Sequence, residues 1–184
     1  MFIGLALFTS CAQQHLSRGD YSFFDKNFVL APDSKLRTDG VYVLNKIWTD
    51  DNGGTEKKPD MHKFYKFYKT GQCNLTLDPE NAIRTEQDYK TVVAKDVQAA
   101  HKKATLFEAY YKLKEDKIII QGIVYPVKQF EYKYGYLADN MLIIVKATRE
   151  GSGKFDDKNF TDYYKEYYSF IPLELTGSAT DPNW

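Results

Sequence analysis

The sequence predicts a mainly β domain, an antiparallel up-and-down meander that closes as a barrel or half-barrel, with one short helical segment around residues 85–103. Three observations predict it. Seven or eight strand-like runs recur at hairpin spacing, separated by short turns of Asp, Asn, Gly and Pro. The chain carries 15 Tyr and 12 Phe, and aromatic residues favour the pleated, half-buried surface of a strand. Only one stretch shows helical rather than two-residue spacing. Closing or curling such a meander removes the exposed edges that an open sheet would leave.

Asp39-Gly40 opens the first strand, Val41 to Trp48. Tyr42, Leu44 and Trp48 share one face and Val41, Val43 and Ile47 the other, so the strand is apolar on both sides and central. Asp50-Asp51-Asn52-Gly53-Gly54 reads as a solvated turn. It lacks the twelve-residue pattern with a terminal Glu that a calcium loop requires. Met61 to Lys69 alternates, and Thr70-Gly71 turns it into Gln72 to Leu77, a hairpin ended by Asp78-Pro79. Within it Lys63, Lys66 and Lys69 interleave with Phe64, Tyr65, Phe67 and Tyr68, which reads as lysine stems covering apolar surface on a solvated face.

Glu80 to Ala104 holds the helix: Tyr89, Val92, Val93, Val97 and Ala100 fall near helical spacing, and the segment is expected across one end of the sheet. In Leu106 to Leu113, residues Phe107, Ala109, Tyr111 and Leu113 share a face, with Glu108, Tyr110, Lys112 and Lys114 opposite. Glu115-Asp116 turns this strand into Lys117 to Tyr125, with its Ile118-Ile119-Ile120 run. The cleanest alternation follows, with Phe130, Tyr132, Tyr134 and Tyr136 on one face and Gln129, Glu131 and Lys133 on the other. Asp139-Asn140 leads into Met141 to Ala147. Arg149 to Asn159 is a polar, glycine-bearing loop, and Tyr163 to Leu173 is the last strand.

Phe2 to Cys11 (FIGLALFTSC) is an apolar run ending in small residues before a cysteine. It is about ten residues long, against the roughly 20 needed to span a bilayer as a helix, so it reads as a processed signal. It resembles bacterial lipoprotein signals of the loose kind found in Bacteroidota, with Phe8-Thr9-Ser10-Cys11 as the lipobox. The resemblance implies cleavage before Cys11, acylation of Cys11 and several acyl chains, since one chain alone anchors only marginally. Ala12 stands where an inner-membrane retention Asp would be, and no acid precedes Asp20, which points to the outer membrane and its periplasmic face. The chain thus divides into a signal peptide at 1–10, a tether and N-terminal extension at 11–36, the β domain at 37–175 and a tail at 176–184.

Net charge is 0, from 25 basic and 25 acidic residues, so no global field favours nucleic acid. With Cys11 acylated only Cys73 remains, so the fold holds by packing and Cys73 is expected as a small buried hydrophobe. His15, His62 and His101 show no metal spacing. No serine lies in a G-x-S-x-G context, there is no CxxC pair, and no glycine-rich phosphate loop follows a strand. The expectation is a non-catalytic protein without metal or cofactor.

Asp39-Gly40-Val41-Tyr42, Phe64-Tyr65-Lys66-Phe67-Tyr68 before a Gly turn, the Tyr111-Lys112-Leu113 to Ile118-Ile119-Ile120 hairpin and the closing Tyr168-Ser169-Phe170-Ile171-Pro172 resemble small lipocalin-like lipoproteins of Bacteroidota over roughly Asp39 to Leu173. The resemblance implies architecture alone. An eight-stranded barrel can hold one small ligand, and Phe130, Tyr132, Tyr134, Tyr136 and Trp48 are the candidate ligand-facing residues, in a wall suited to a partly polar ligand. The same stripe is also what a plain core would look like. Two functions follow as expectations: a membrane-anchored envelope protein binding a small, partly apolar ligand in or on its barrel, or a protein-interaction module of the envelope, an inhibitor or complex subunit.

Overall fold

The computed structural model describes residues 18–97, the backbone of 98 and 99, and residues 108–124, 127, 129–175 and 182. The signal peptide, Cys11, His15, His101, Phe107 and Trp184 lie outside the described residues. In chain order the strands are β1 (Gly40–Thr49), β2 (Thr55–Lys57), β3 (His62–Phe67), β4 (Gln72–Asp78), β5 (Glu108–Lys114), β6 (Lys117–Val124), β7 (Gln129–Ala138), β8 (Met141–Thr148) and β9 (Tyr164–Pro172), with helix α1 (Glu86–Ala99) between β4 and β5.

All pairings are antiparallel: β1 pairs with β3, each strand from β3 to β8 pairs with the next, and β1 closes the ring on β9 from Gly40–Pro172 to Thr49–Tyr164. The result is the closed form of the predicted meander: an eight-stranded up-and-down barrel, with β2 as a ninth strand paired to the far end of β1. Turn residues take the conformations their chemistry permits. Asn52, Glu115 and Asn140 have positive φ at three of the predicted turns, and Gly71 has φ +84° in the β3–β4 hairpin.

Two bulges set which side chains enter the barrel. In β1, Leu44 faces Tyr168 but Lys46 faces Tyr167, so Asn45 is the extra residue, and its amide donates to Ser169 Oγ at 2.6 Å. The simple two-residue reading of β1 therefore fails past Leu44: Ile47 joins Tyr42 and Leu44 inside, and Trp48 is carried outside. The second bulge lies at Val145 of β8, between the Tyr134–Lys146 and Gly135–Ile144 pairs. Gly135 points inward there, where a Cβ would stand 2.4 Å from Ile143 O.

The interior core comprises Tyr42, Leu44, Tyr65, Phe67, Cys73, Tyr111, Ile118, Ile120, Leu142, Ile144 and Tyr168 among others, and Leu36 closes one end with Phe28 and Leu30 against it. Cys73 is fully buried, as expected. The large rings meet edge to face, Tyr42 on Phe67 at 5.7 Å and 89° and Phe67 on Tyr111 at 5.3 Å and 80°. Two of the interior tyrosine hydroxyls are held by backbone groups: Tyr42 accepts from Arg37 N, and Tyr111 donates to Tyr68 O.

The barrel is covered outside as well. Helix α1 starts with a reciprocal cap between Thr85 and Asp88 and lays Tyr89 and Val93 on Val41, Phe64 and Leu173, and Val97 on Tyr68 and Tyr110. It lies along the outer wall, where Asp96 accepts from Asn74 and Thr76 of β4, rather than across an end. Residues Tyr21 and Phe23 are buried on the β5–β7 wall, and Gln121 of β6 accepts from Phe23 N at 2.9 Å.

Candidate functional site

The barrel interior changes character along its axis. Away from the Leu36 end, Lys63, Glu131, Lys133 and Glu166 point inward. Lys63 shares a face with Tyr65, Lys133 reaches across the barrel from β7 to the Tyr65 hydroxyl on β3 at 3.0 Å, and Glu131 stands 3.5 Å from Lys133. The Glu166 carboxylate accepts from Lys63 at 2.7 Å, Tyr164 at 2.7 Å and Tyr168 at 2.6 Å. Burial pushes the Glu166 carboxyl up, but Lys63 and the two tyrosine hydroxyls outweigh it, and its pKa lies below the ordinary value. Burial pushes the Tyr65 hydroxyl up to about 12 even with Lys133 beside it.

Two ammonium groups and two carboxylates thus neutralise each other inside the barrel. Among the described residues this end keeps a cavity of about 40 Å³, lined by Tyr65, Leu75, Ala109, Ile120, Gly122 and Lys133 among others. That is close to the roughly 30 Å³ a water occupies in the liquid and far below the roughly 300–1,000 Å³ of small-molecule pockets. The ion pairs and tyrosines fill this layer.

The predicted aromatic stripe lies elsewhere. Phe130, Tyr132, Tyr134 and Tyr136 keep the predicted alternation but point outward, while Glu131 and Lys133, read from the sequence as the opposite face, point inward. The stripe lies beneath a second layer of the chain: Phe130 meets Tyr21 at 5.3 Å, Tyr132 meets Phe23 at 5.8 Å, and Tyr134 and Tyr136 meet Phe160 at 5.6 and 5.3 Å. The loop over it, 149–159, contributes Phe155, stacked on Phe160, and the buried Asn159. Trp48 lies on the outer wall by the β1–β2 turn, with Lys165 Nζ 5.3 Å from its ring. Trp48 and the stripe do not converge on one cavity, and Cys11 lies outside the described residues.

A groove of about 420 Å³ opens instead on the outer wall, where the chain enters β1 and leaves β9. Thr38, Asp39, Lys66 and Lys69 form its polar side, and Leu173, Leu175 and the Tyr68 ring its apolar side. Leu173 N donates to Asp39 O at 2.9 Å, tying the two chain segments together. Lys66 shares the outer face of β3 with the buried Phe64 and is itself 4% exposed. Its ammonium donates to Thr38 O and to Gly40 O, the latter at 3.3 Å, and lies 5.4 Å from the Tyr68 ring centroid. Burial pushes its pKa down to about 8, with Asp39 acting the other way. The Arg37 guanidinium, 2.6 Å from Asp39, holds that carboxyl below its ordinary value.

The sequence reading of Lys63, Lys66 and Lys69 as one solvated face is therefore corrected. Residues three apart in a strand point to opposite sides. Lys63 enters the barrel, Lys66 is buried against the outer wall, and only Lys69 of the three is exposed. The signal was present: with Phe64, Tyr65, Phe67 and Tyr68 around them, neither face of β3 is free to be polar. Comparison with protein-family models, with curated proteins and with solved structures returned no match.

Proposed function

We propose that this chain is a non-catalytic binding protein of a bacterial cell envelope, lipocalin-like in architecture, tethered through an acylated Cys11 to the periplasmic face of the outer membrane. It binds a small, partly apolar ligand on the barrel wall, in the groove between Lys66 and Leu175. The observation that carries the reading is a buried ammonium beside an apolar floor in a groove of about 420 Å³, against about 40 Å³ in the cavity at the ion-pair layer inside the barrel. The groove is ligand-sized and has polar groups converging on an apolar floor, the usual composition of a binding site.

The test is native mass spectrometry of the purified protein after incubation with an extract of its host's envelope. A discrete added mass of a few hundred daltons, lost in Leu175→Glu, supports the reading. A folded protein with no adduct overturns it and favours the second reading, a protein-interaction module. That reading has its own observation: Val29, 82% exposed, lies beside a wider groove of about 660 Å³ lined by Phe28, Leu30 and Leu113 at the closed end of the barrel. Anchoring is tested separately, since Cys11→Ser is expected to abolish acylation and release the protein from membranes.

A further inference from the structure

We propose that the wall groove is a carboxylate site: it takes a small organic acid whose anionic head meets the Lys66 ammonium and whose apolar part lies on Leu173, Leu175 and the Tyr68 ring. The inference rests on the groove being the ligand site. An ammonium carries three N–H donors. Lys66 spends two, on the carbonyls of Thr38 and Gly40. Both acceptors are neutral, and no carboxylate of the described residues forms an ion pair with Lys66. A buried cation with no carboxylate bonded to it is costly, and the more distant charge of Asp39 and the Tyr68 ring face compensate only in part.

The groove supplies what is missing. Asp39, the carboxylate nearest in charge, is committed to Arg37 through two bonds of 2.6 and 3.1 Å. Lys69 adds a second positive charge at the rim. One unused donor on one buried cation suits a monoanion. A phosphate is best met by a fork of guanidinium donors or by several amides, and neither lines this groove. The apolar side sets the rest of the ligand: a hydrocarbon chain or ring rather than a sugar.

Titration calorimetry of the full chain at pH 7 with octanoate, octan-1-ol and inorganic phosphate tests this. Octanoate is expected to bind, octanol at least tenfold more weakly, and phosphate to leave octanoate binding unchanged. Lys66→Met is expected to weaken octanoate at least tenfold, while Glu131→Gln, inside the barrel, leaves it unchanged. Where Lys66→Met does not fold, Leu175→Glu is read instead and is expected to give the same loss. Octanol binding as tightly as octanoate, phosphate competing with it, or octanoate indifferent to these groove substitutions overturns the carboxylate assignment. A neutral envelope compound whose adduct is lost in Leu175→Glu overturns it too, yet leaves the groove reading standing. Absence of both octanoate binding and an envelope adduct ends both readings.

Discussion

Replacing Glu166 tests whether the ion pairs inside the barrel hold the fold together. Its carboxylate accepts from Lys63, Tyr164 and Tyr168 at 2.6–2.7 Å, and the Lys63 and Glu166 side chains are 18% and 12% exposed. Glu166→Leu leaves the Lys63 ammonium inside the barrel with no carboxylate of its own, since Glu131 is engaged with Lys133, and strips two tyrosine hydroxyls of their acceptor. Breaking a buried pair costs about 3–5 kcal/mol, and the residual solvent access places this one at the low end, about 3 kcal/mol. For a domain of this size that corresponds to a fall in Tm of about 6–12 °C. The double variant Lys63→Met/Glu166→Leu removes both charges and is expected within about 1 kcal/mol of the parent, because the desolvation cost of both ions vanishes with their attraction.

Urea unfolding of the parent, Glu166→Leu, the single variant Lys63→Met and the double variant, followed by circular dichroism, closes the cycle. A single-variant cost below about 1 kcal/mol, or costs that simply add, would mean that water screens the pair as it does at a surface and would refute the reasoning. Acid gives a second readout. The folded-state pKa of Glu166 lies below its ordinary value of 4.5, so as pH falls the unfolded chain binds this proton first. The pair's contribution is complete above about pH 4.5 and is lost as pH falls through the folded value, and Glu166→Leu flattens this limb of the stability curve.

Three further outcomes are expected. Gly135→Ala places a Cβ 2.4 Å from Ile143 O and 3.0 Å from Ile144 Cδ1 at the β7–β8 bulge, and a thermal melt is expected to report a loss of about 2 kcal/mol or more. Lys66 carries a folded pKa of about 8 against 10.5 unfolded, so the folded protein sheds this proton first; urea unfolding at pH 7.5 and 10 is expected to show the parent gaining stability relative to Lys66→Met, and equal changes would contradict the burial of that ammonium. Asp78 accepts from Ala82 N and Ile83 N at 2.9 Å and from His62 Nδ1 at 3.0 Å, so Asp78→Asn is expected to cost about 1.5–3 kcal/mol and to speed amide exchange at residues 82 and 83 before α1.

Strand positions, turn residues and the helix were legible because each leaves a local mark. The Asn140 turn, the Gly71 turn and the Tyr89–Val93–Val97 stripe all sit where the local pattern places them. The side of the sheet that faces inward was not legible. A period of two states that Phe130, Tyr132, Tyr134 and Tyr136 share a face, but it carries no sign. The sign is set by what covers the strand, and the covering residues, Tyr21, Phe23, Phe155 and Phe160, come from segments with no period of their own. The bulge at Asn45 is equally silent: one extra residue moves Trp48 from the inner to the outer face with no change in composition.

The same lack of sign explains where open space lies. Strands β3, β6 and β7 are buried on both faces, Phe64 and Tyr65, Ile118 and Ile119, Tyr134 and Leu137 lying on opposite sides at 2% exposure or less. With aromatic residues committed outward beneath the N-terminal segment and the 149–159 loop, the inward positions fall to Tyr42, Tyr65, Tyr111 and Tyr168, whose hydroxyls demand partners. Lys133 and Glu166 supply two of them and occupy the space in doing so. A barrel that satisfies its interior in this way has little volume left there. Open space lies outside instead, in the groove of about 660 Å³ by Val29 and, where the double layer is interrupted at the entry to β1 and the exit from β9, in the groove that the buried Lys66 meets. Emptying the interior by a substitution such as Tyr65→Ala is therefore expected to cost stability without creating affinity for octanoate, whereas Leu175→Glu removes that affinity at little cost in stability.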